Sequence, residues 1–344
     1  MALPVRRALL ALLIFVGLVP GTLVFEPGEP WNETFSLRFA PLKVPSKAER
    51  SALLGPFDLV GAWAMQSPYS GFGGYSALVP LPEQRLMAIS DSGRILTFSP
   101  PGAPQIAPER GTMLPEARRR KFDVDVEAAT RDPATGTIWL AREYLNAISR
   151  HDPQFRTMVN VQPAAMRDWG DNTGPEALAR LTDGRFLVLR EGFTGTFEWR
   201  RHAALLFPGD PVSGAKPLQF TFDGSTGYSP TDVAQLPDGR VLILMRRLAW
   251  PLPLRFAGRI LVADPATIRA GGVWRTREVA RLEAPLPTDN FEGLAIEPRA
   301  DGRVTVWLIS DKNAAATQRT LLLKLVLDPQ RLPRLRQARK KARD

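Results

Sequence analysis

Five stretches of the sequence carry charge at matched places. Four of them open on an acid, at Glu127, Glu176, Asp232 and Glu292, and the first opens on Ser76. Charge recurs where each stretch closes: Asp91, Glu143, Glu191, the pair Arg246 and Arg247, and Asp311 with Asn313. Carboxylates gathered without histidine or cysteine are hard oxygen donors, suited to Ca²⁺ and poorly suited to zinc. Left alone they repel, so a metal, arginines or shared protons must balance them. Guanidinium groups match oxyanion geometry, which makes Arg246 and Arg247 candidate phosphate binders beside the acids; pairing with a carboxylate is the alternative. A structural reading stays open too, in which each acid accepts hydrogen bonds from backbone amides where neighbouring modules meet. The opening acids lean to that structural role and the closing set to function.

Other chemistries drop out. The chain has no cysteine, which removes disulfides, thiolate metal sites and a cysteine nucleophile. Its only histidines, His151 and His202, have no metal-ligand spacing. Each reads as a surface or loop residue, His151 before the turn Asp152-Pro153 and His202 after Arg200-Arg201. There is no Gly-x-Ser-x-Gly elbow for a serine hydrolase. Gly71-Phe72-Gly73-Gly74 lacks the lysine and helix of a phosphate loop and instead lets the chain bend tightly near an axis.

The charged positions sit on a repeat. Its units are Ser76 to Asp91, Glu127 to Glu143, Glu176 to Glu191, Asp232 to Arg247 and Glu292 to Asp311, with starts about 50 to 60 residues apart. Each has a short strand-like piece, a turn through Asp-Gly or its equivalent, then an apolar run such as Phe186-Leu187-Val188-Leu189 or Val241-Leu242-Ile243-Leu244. Asp-Gly between such runs signals a hairpin, because glycine tolerates the positive φ of tight turns. The spacing leaves room for four short strands per unit, and runs apolar at successive positions suit strands covered on both faces. The expected fold is therefore all-β, a five-bladed β-propeller over 57–328, with six blades as the alternative. The last unit lacks an outer strand, which Leu59 to Met65 would supply to close the ring; Phe35 to Val44 is left as an extra strand or wrap. No long amphipathic helix pattern supports a nucleotide-binding α/β fold. In a propeller the innermost strands begin at the central channel, so the opening acids would converge on the axis.

The chain has 344 residues, 44% of them apolar and 23% charged, which suits a large globular body. Its formal charge of +10 sits mostly at the ends. Arg6 and Arg7 precede the apolar run Ala8 to Val19, and the 331–344 stretch holds seven basic residues against Asp344. The first pattern reads as a signal peptide or an uncleaved N-terminal anchor over 1–25, followed by an extension over 26–56. The second is a basic tail over 329–344 without aromatic residues for stacking on bases, so nucleic acid is not an expected partner. Weak attraction of that tail to anionic lipids is the sharper reading, a solvated tail the plainer one.

Several segments together resemble the phytase-like domain family, whose members are described as having "esterase-like activity of phytase". They are Phe72-Gly73-Gly74-Tyr75-Ser76, Ser90-Asp91-Ser92-Gly93, Asp125-Val126-Glu127, Ala141-Arg142-Glu143, Gly174-Pro175-Glu176-Ala177-Leu178, Asn290-Phe291-Glu292-Gly293-Leu294-Ala295 and Ser310-Asp311-Lys312-Asn313. The resemblance implies an exported propeller similar to alkaline phytases, which use Ca²⁺ to hold a substrate phosphate and activate a water. It implies Asp91, Glu127, Glu143, Glu176, Glu191, Glu292, Asp311 and Asn313 as the recurring acidic-motif positions; Ser76 departs from the pattern. The leading expectation is a Ca²⁺-assisted phosphoric ester hydrolase acting on a small anionic ester, with Glu143 or Glu191 as base and Arg246 or Arg247 stabilising charge on phosphorus. The alternatives are a non-enzymatic envelope scaffold, and a lactonase or sugar-ester hydrolase. A monomer is expected, periplasmic or anchored to the inner membrane.

Overall fold

The computed structural model describes residues 31–113, 124–195, 197–249, 255–312 and 318–333. Five sheets follow one another around the wheel, each built around the antiparallel strands of one repeat unit. The first blade comprises Tyr75–Leu81, Arg85–Ser90, Arg94–Phe98 and Glu109–Thr112, and the second Val126–Arg131, Ile138–Arg142, Ala147–His151 and Met158–Val161. The third runs through Pro175–Arg180, Phe186–Phe193, Arg201–Phe207 and Leu218–Asp223, and the fourth through Ser229–Gln235, Val241–Ala249, Arg255–Ala263 and Arg277–Leu282. The fifth starts with Asn290–Pro298, Val304–Asp311 and Leu321–Leu327. Its fourth strand, Phe57–Gln66, comes from the N-terminal side and pairs antiparallel with Leu321–Leu327. The sequence placed that closing strand correctly, and five blades, not six, complete the wheel. Closure by a distant segment ties the two ends of the ring together, so the wheel has no free inner seam.

Inner strands of successive blades touch in turn, the fifth against the first, which closes the hub. Apolar runs divide between the two faces by strand alternation. In Val241–Ala249, Leu242 and Leu244 enter the layer shared with the fifth blade, whereas Val241, Ile243 and Met245 enter the layer shared with the third. Five such layers, one per junction, form the core. The unbroken hydrophobicity of these strands thus follows from burial on both sides.

The extra strand expected within Phe35 to Val44 is Arg38–Pro41, which pairs outside Phe57–Gln66. Val273–Arg275, which pairs in parallel with the outer edge of the third blade, was not legible beforehand. Between Arg38–Pro41 and Phe57–Gln66 lies the short helix Lys47–Leu54, begun by a capping box in which Ser46 and Glu49 satisfy each other's amides. No described helix is long and apolar enough to cross a membrane.

The histidines correct the sequence reading: both lie in strands and are buried, His151 at 1% exposure and His202 at 0%. His151 Nε2 meets Ser149 Oγ at 2.9 Å, and His202 Nδ1 donates to the Glu191 carbonyl at 2.8 Å. The His202 ring packs between Phe193 and Phe222. Burial pushes both imidazoles down to about 4, so they are neutral core residues at pH 7. Local turn residues suggested exposure; blade packing overrode them.

Candidate functional site

Every inner strand breaks register with its neighbour at one residue near its start. The bulged residues are Ser76, Glu127, Glu176, Thr231 and Glu292, each falling between paired residues of the ladder. A bulge leaves one residue unpaired and re-aims its side chain. Five equivalent bulges form one ring around the axis.

The second ring comes from the second strands, from the residue one past the partner of the residue that precedes each bulge: Asp91, Glu143, Glu191, Arg246 and Asp311. All members of the two rings except Thr231 line a cavity of about 440 Å³, joined by Asp125, Tyr144 and Asn172. Among the described residues its lining holds eight carboxylates against one guanidinium, that of Arg246. The fourth blade is the exception in both rings, with Thr231 and Arg246 where most blades place acids.

This register also separates the candidates. Asp232, an opening acid in the sequence, sits one residue past the bulge. A one-residue shift sends a strand side chain to the other face. Its Oδ1 accepts from Val233 N–H at 2.8 Å and its Oδ2 from Leu294 N–H at 2.7 Å, joining the fourth blade to the fifth. That is the structural role weighed for the opening acids. Thr231 takes the ring position, its hydroxyl donating to the Phe291 carbonyl at 3.3 Å. Arg247, adjacent to Arg246 in a strand, also points away from the hub and lines a groove elsewhere. Asn313 lies outside the described residues.

Asp125 was missed as a site residue. Three amides of the second ring, on Asp91, Glu143 and Glu191, each donate at 2.9 Å to the carbonyls of Gly74, Asp125 and Gly174 respectively. Asp125 therefore occupies a position that two other blades give to glycine, and it does so with φ of 37°. A left-handed conformation at a residue with a Cβ costs free energy and is retained where its side chain is needed. The usable signal was the Asp-x-Glu spacing of Asp125 and Glu127. At Gly174 the exclusion of a side chain is steric, since a Cβ would lie 2.7 Å from Asn146 Oδ1 and 2.9 Å from Glu143 Cγ. That closeness lets Gly174 N–H donate to Glu143 Oε1 at 3.1 Å.

Burial is the largest cause of every carboxyl shift resolved in the two rings. Glu127 and Glu176 are held well above the usual range by burial and by each other's neighbours, Glu176, Glu292 and Glu143 around the first, Glu191 and Glu143 around the second. Glu143 is pushed up to about 7 by burial, with Glu191 and Asp125 adding to it and the Gly174 amide opposing. Glu191 and Glu292 are raised by burial and eased by Arg246, and Asp311 stands well above its ordinary value. Burial works against the charge on Arg246, but Glu292, Glu176 and Glu191 outweigh it and hold the guanidinium protonated. Arg246 Nη2 lies 3.3 Å from Glu292 and 3.7 Å from Glu191.

A single arginine cannot neutralise this set. Two groups bring carboxylate oxygens within 4.8 Å of one another, Asp125 with Glu127 and Glu143, and Glu143 with Glu176 and Glu191. Asp311 Oδ1, Asn290 Oδ1 and Arg246 Nε are buried without a hydrogen-bond partner among the described residues. Hard oxygen donors, excess negative charge and unsatisfied polar atoms fit a divalent cation such as Ca²⁺.

The family model described as "Phytase-like: Esterase-like activity of phytase" matches residues 70–314. The chain belongs to the phytase-like family. The matched span contains every described hub residue of this phytase-like propeller. No curated protein matches the sequence. Among solved structures, Kuenenia stuttgartiensis hydrazine synthase is 13% identical with a TM-score of 0.40, over 74% of this chain and 63% of that one. Myxococcus xanthus glutaminyl cyclase is 13% identical with a TM-score of 0.43, over 79% of this chain and 97% of that one. The PQQ-bound aldose sugar dehydrogenase of Streptomyces coelicolor is 12% identical with a TM-score of 0.42, over 78% of this chain and 98% of that one. Likenesses this distant carry nothing about the chemistry at the hub of the phytase-like chain.

Proposed function

We propose that the hub is a Ca²⁺ site serving hydrolysis of phosphoric esters. The observation that supports this is the imbalance of eight carboxylates against Arg246 within one cavity. Asp125, Glu127 and Glu143 are the residues to hold the ion, being the acidic trio that includes the strained Asp125. Bound there, Ca²⁺ supplies Lewis-acid polarisation of a phosphoryl oxygen.

The rest of the work falls to the chain. Glu191 is partly open to the cavity, with its side chain 21% exposed, and its raised pKa suits a proton acceptor that takes the proton of the attacking water. Arg246, held between Glu191 and Glu292, is placed to meet charge that develops on phosphoryl oxygens. Asn290 Nδ2 donates to Glu292 Oε1 at 2.6 Å and fixes that carboxylate on the Arg246 side of the cavity. We also propose that the protein works outside the cytoplasm, from the leader-like pattern at 1–25, which lies outside the described residues.

The test is turnover on a panel of phosphomonoesters and phosphodiesters, with carboxylate esters alongside, before and after chelation. Chelator-sensitive phosphatase turnover that Glu191→Gln reduces about 10²-fold or more supports the reading. Turnover confined to carboxylate esters, or none on any ester, contradicts it.

A further inference from the structure

The fourth blade carries a second concentration of charge, away from the hub. Strand alternation that sends Arg246 toward the fifth blade sends Arg247 toward the third. On that face Met245 pairs with Arg259 and Arg259 with Arg281. With Arg200 from the third blade, these arginines line a groove of about 410 Å³ between the two blades. Three of the four are already matched by acids: Arg200 by Asp223 at 2.8 Å, Arg259 by Glu283 at 3.0 Å, and Arg281 by Glu278 at 2.9 Å. Arg247 has no acidic partner among the described residues. Its guanidinium lies 4.6 Å from the centre of the Tyr228 ring, and Arg259 covers the same ring at the same distance. Tyr228 is itself buried, and its hydroxyl has no hydrogen-bond partner among the described residues.

Exposed apolar side chains stand at the same end of these two blades. The tip after Phe186–Phe193 presents Phe197 and Trp199 next to the groove residue Arg200, and Leu248, near the end of Val241–Ala249, stands on the opposite face of its strand from Arg247, at 89%, 56% and 48% exposure. Trp199 is held there rather than trailing in solvent. It stacks on Phe193 at 6.2 Å, which stacks on the buried His202 at 4.8 Å, and its carbonyl accepts the Gly227 N–H. Arg200 likewise accepts from Gly224 N–H at 2.7 Å, so the third-blade tip is fastened to the loop that walls the groove. Glu198, between the two aromatic residues, is tied to Arg201 at 3.3 Å.

Exposed apolar side chains with arginines next to two of them, Arg200 beside Trp199 and Arg247 beside Leu248, have the chemistry of a bilayer interface. Aromatic rings settle at headgroup depth, while guanidinium groups meet phosphate. We propose that the groove between the third and fourth blades takes the phosphate of an anionic lipid headgroup, with Phe197, Trp199 and Leu248 resting in the interface. The apolar side chains stand apart from one another with Arg200 and Arg247 among them, the mixture of aromatic and basic residues found at headgroup depth. Trp199 follows the second strand of the third blade and Leu248 lies near the end of the second strand of the fourth, the same end of the wheel at which Glu191 and Arg246 face the hub cavity. Docking would therefore turn the mouth of the hub toward the headgroups.

The full chain is tested for binding to phosphatidylcholine vesicles with and without phosphatidylglycerol, using acyl-brominated lipid to quench tryptophan fluorescence. The apolar and basic ends are present in every variant, so differences between variants report the groove and tips. Quenching on phosphatidylglycerol vesicles, largely lost in Trp199→Phe, is expected. Arg247→Gln should raise the lipid concentration for half-binding about five-fold, with thermal unfolding unchanged. Leu248→Ser gives a second variant at the surface, where the fold does not depend on the side chain. Vesicle binding identical in wild type and all three variants would place attachment at the chain ends and overturn the proposal. Binding of inorganic phosphate lost in Arg247→Gln, with no vesicle binding, would also overturn it, by making the groove a site for soluble anions.

Discussion

Arg246 lies 3.3 Å from Glu292 across the junction of the fourth and fifth blades, and among the described residues it is the only guanidinium lining a cavity walled by eight carboxylates. The fourth blade thus places a fixed cation where the other blades place acids. Removing one partner of a buried ion pair leaves the other uncompensated. Arg246→Gln should destabilise the chelated protein by about 3 kcal/mol or more in urea unfolding, with part of the loss recovered on adding calcium. Full stability of the variant without calcium would mean that the hub acids share protons and do not depend on the arginine.

The pH dependence has a definite sign. Glu143 has a folded pKa of about 7, above its ordinary 4.5, so the native state binds more protons than the unfolded chain between those values. Stability of the calcium-free protein is therefore present below about 4.5 and declines as pH rises through 7. The raised carboxyls of Glu127, Glu176 and Asp311 act in the same direction. Chelated protein should melt several degrees lower at pH 8 than at pH 5.5, and saturating calcium should shrink that difference. A melting temperature that rises with pH in chelator would contradict the buried-acid description.

Asp125 and its glycine counterparts make a trade-off measurable. Asp125→Gly relieves the positive φ but removes a carboxylate from the trio with Glu127 and Glu143. The expected result is a chelated protein unchanged or more stable by up to about 1 kcal/mol, together with calcium affinity lower by about ten-fold or more. A loss of stability without loss of affinity would assign Asp125 to the scaffold.

Asp232 gives the opposite pattern. Asp232→Ala removes the acceptor for two buried amides, Val233 N–H and Leu294 N–H. Urea unfolding should show a loss of about 1–3 kcal/mol, while calorimetry finds calcium affinity unaltered. An altered affinity would bring Asp232 back into the ion's surroundings.

Much of the wheel was legible because its cause is local and repeated. Turns such as Asp183-Gly184 and Asp238-Gly239, followed by runs buried on both faces, specify a hairpin that recurs until the chain closes on itself. The closing strand Phe57–Gln66 was legible by arithmetic, since the fifth unit lacked an outer strand. What one sequence did not reveal was register. The bulge that turns Glu127, Glu176 and Glu292 inward leaves Asp232 one residue out of phase and puts Thr231 in its place. Asp125 was obscure for a related reason, because its counterparts Gly74 and Gly174 carry no side chain to suggest a pattern. Arg246 and Arg247 could not be told apart until a strand gave each its own face. The parallel pairing of Val273–Arg275 with the third blade depends on contacts between units, which a repeat does not encode.

Calcium titration by calorimetry on the intact chain and on the Glu127→Gln/Glu143→Gln double variant bears most directly on the hub as a cation site. The account predicts a saturable heat for the intact chain and its loss, with folding retained, in the double variant. No heat from the intact chain, or the same heat from both proteins, would contradict it.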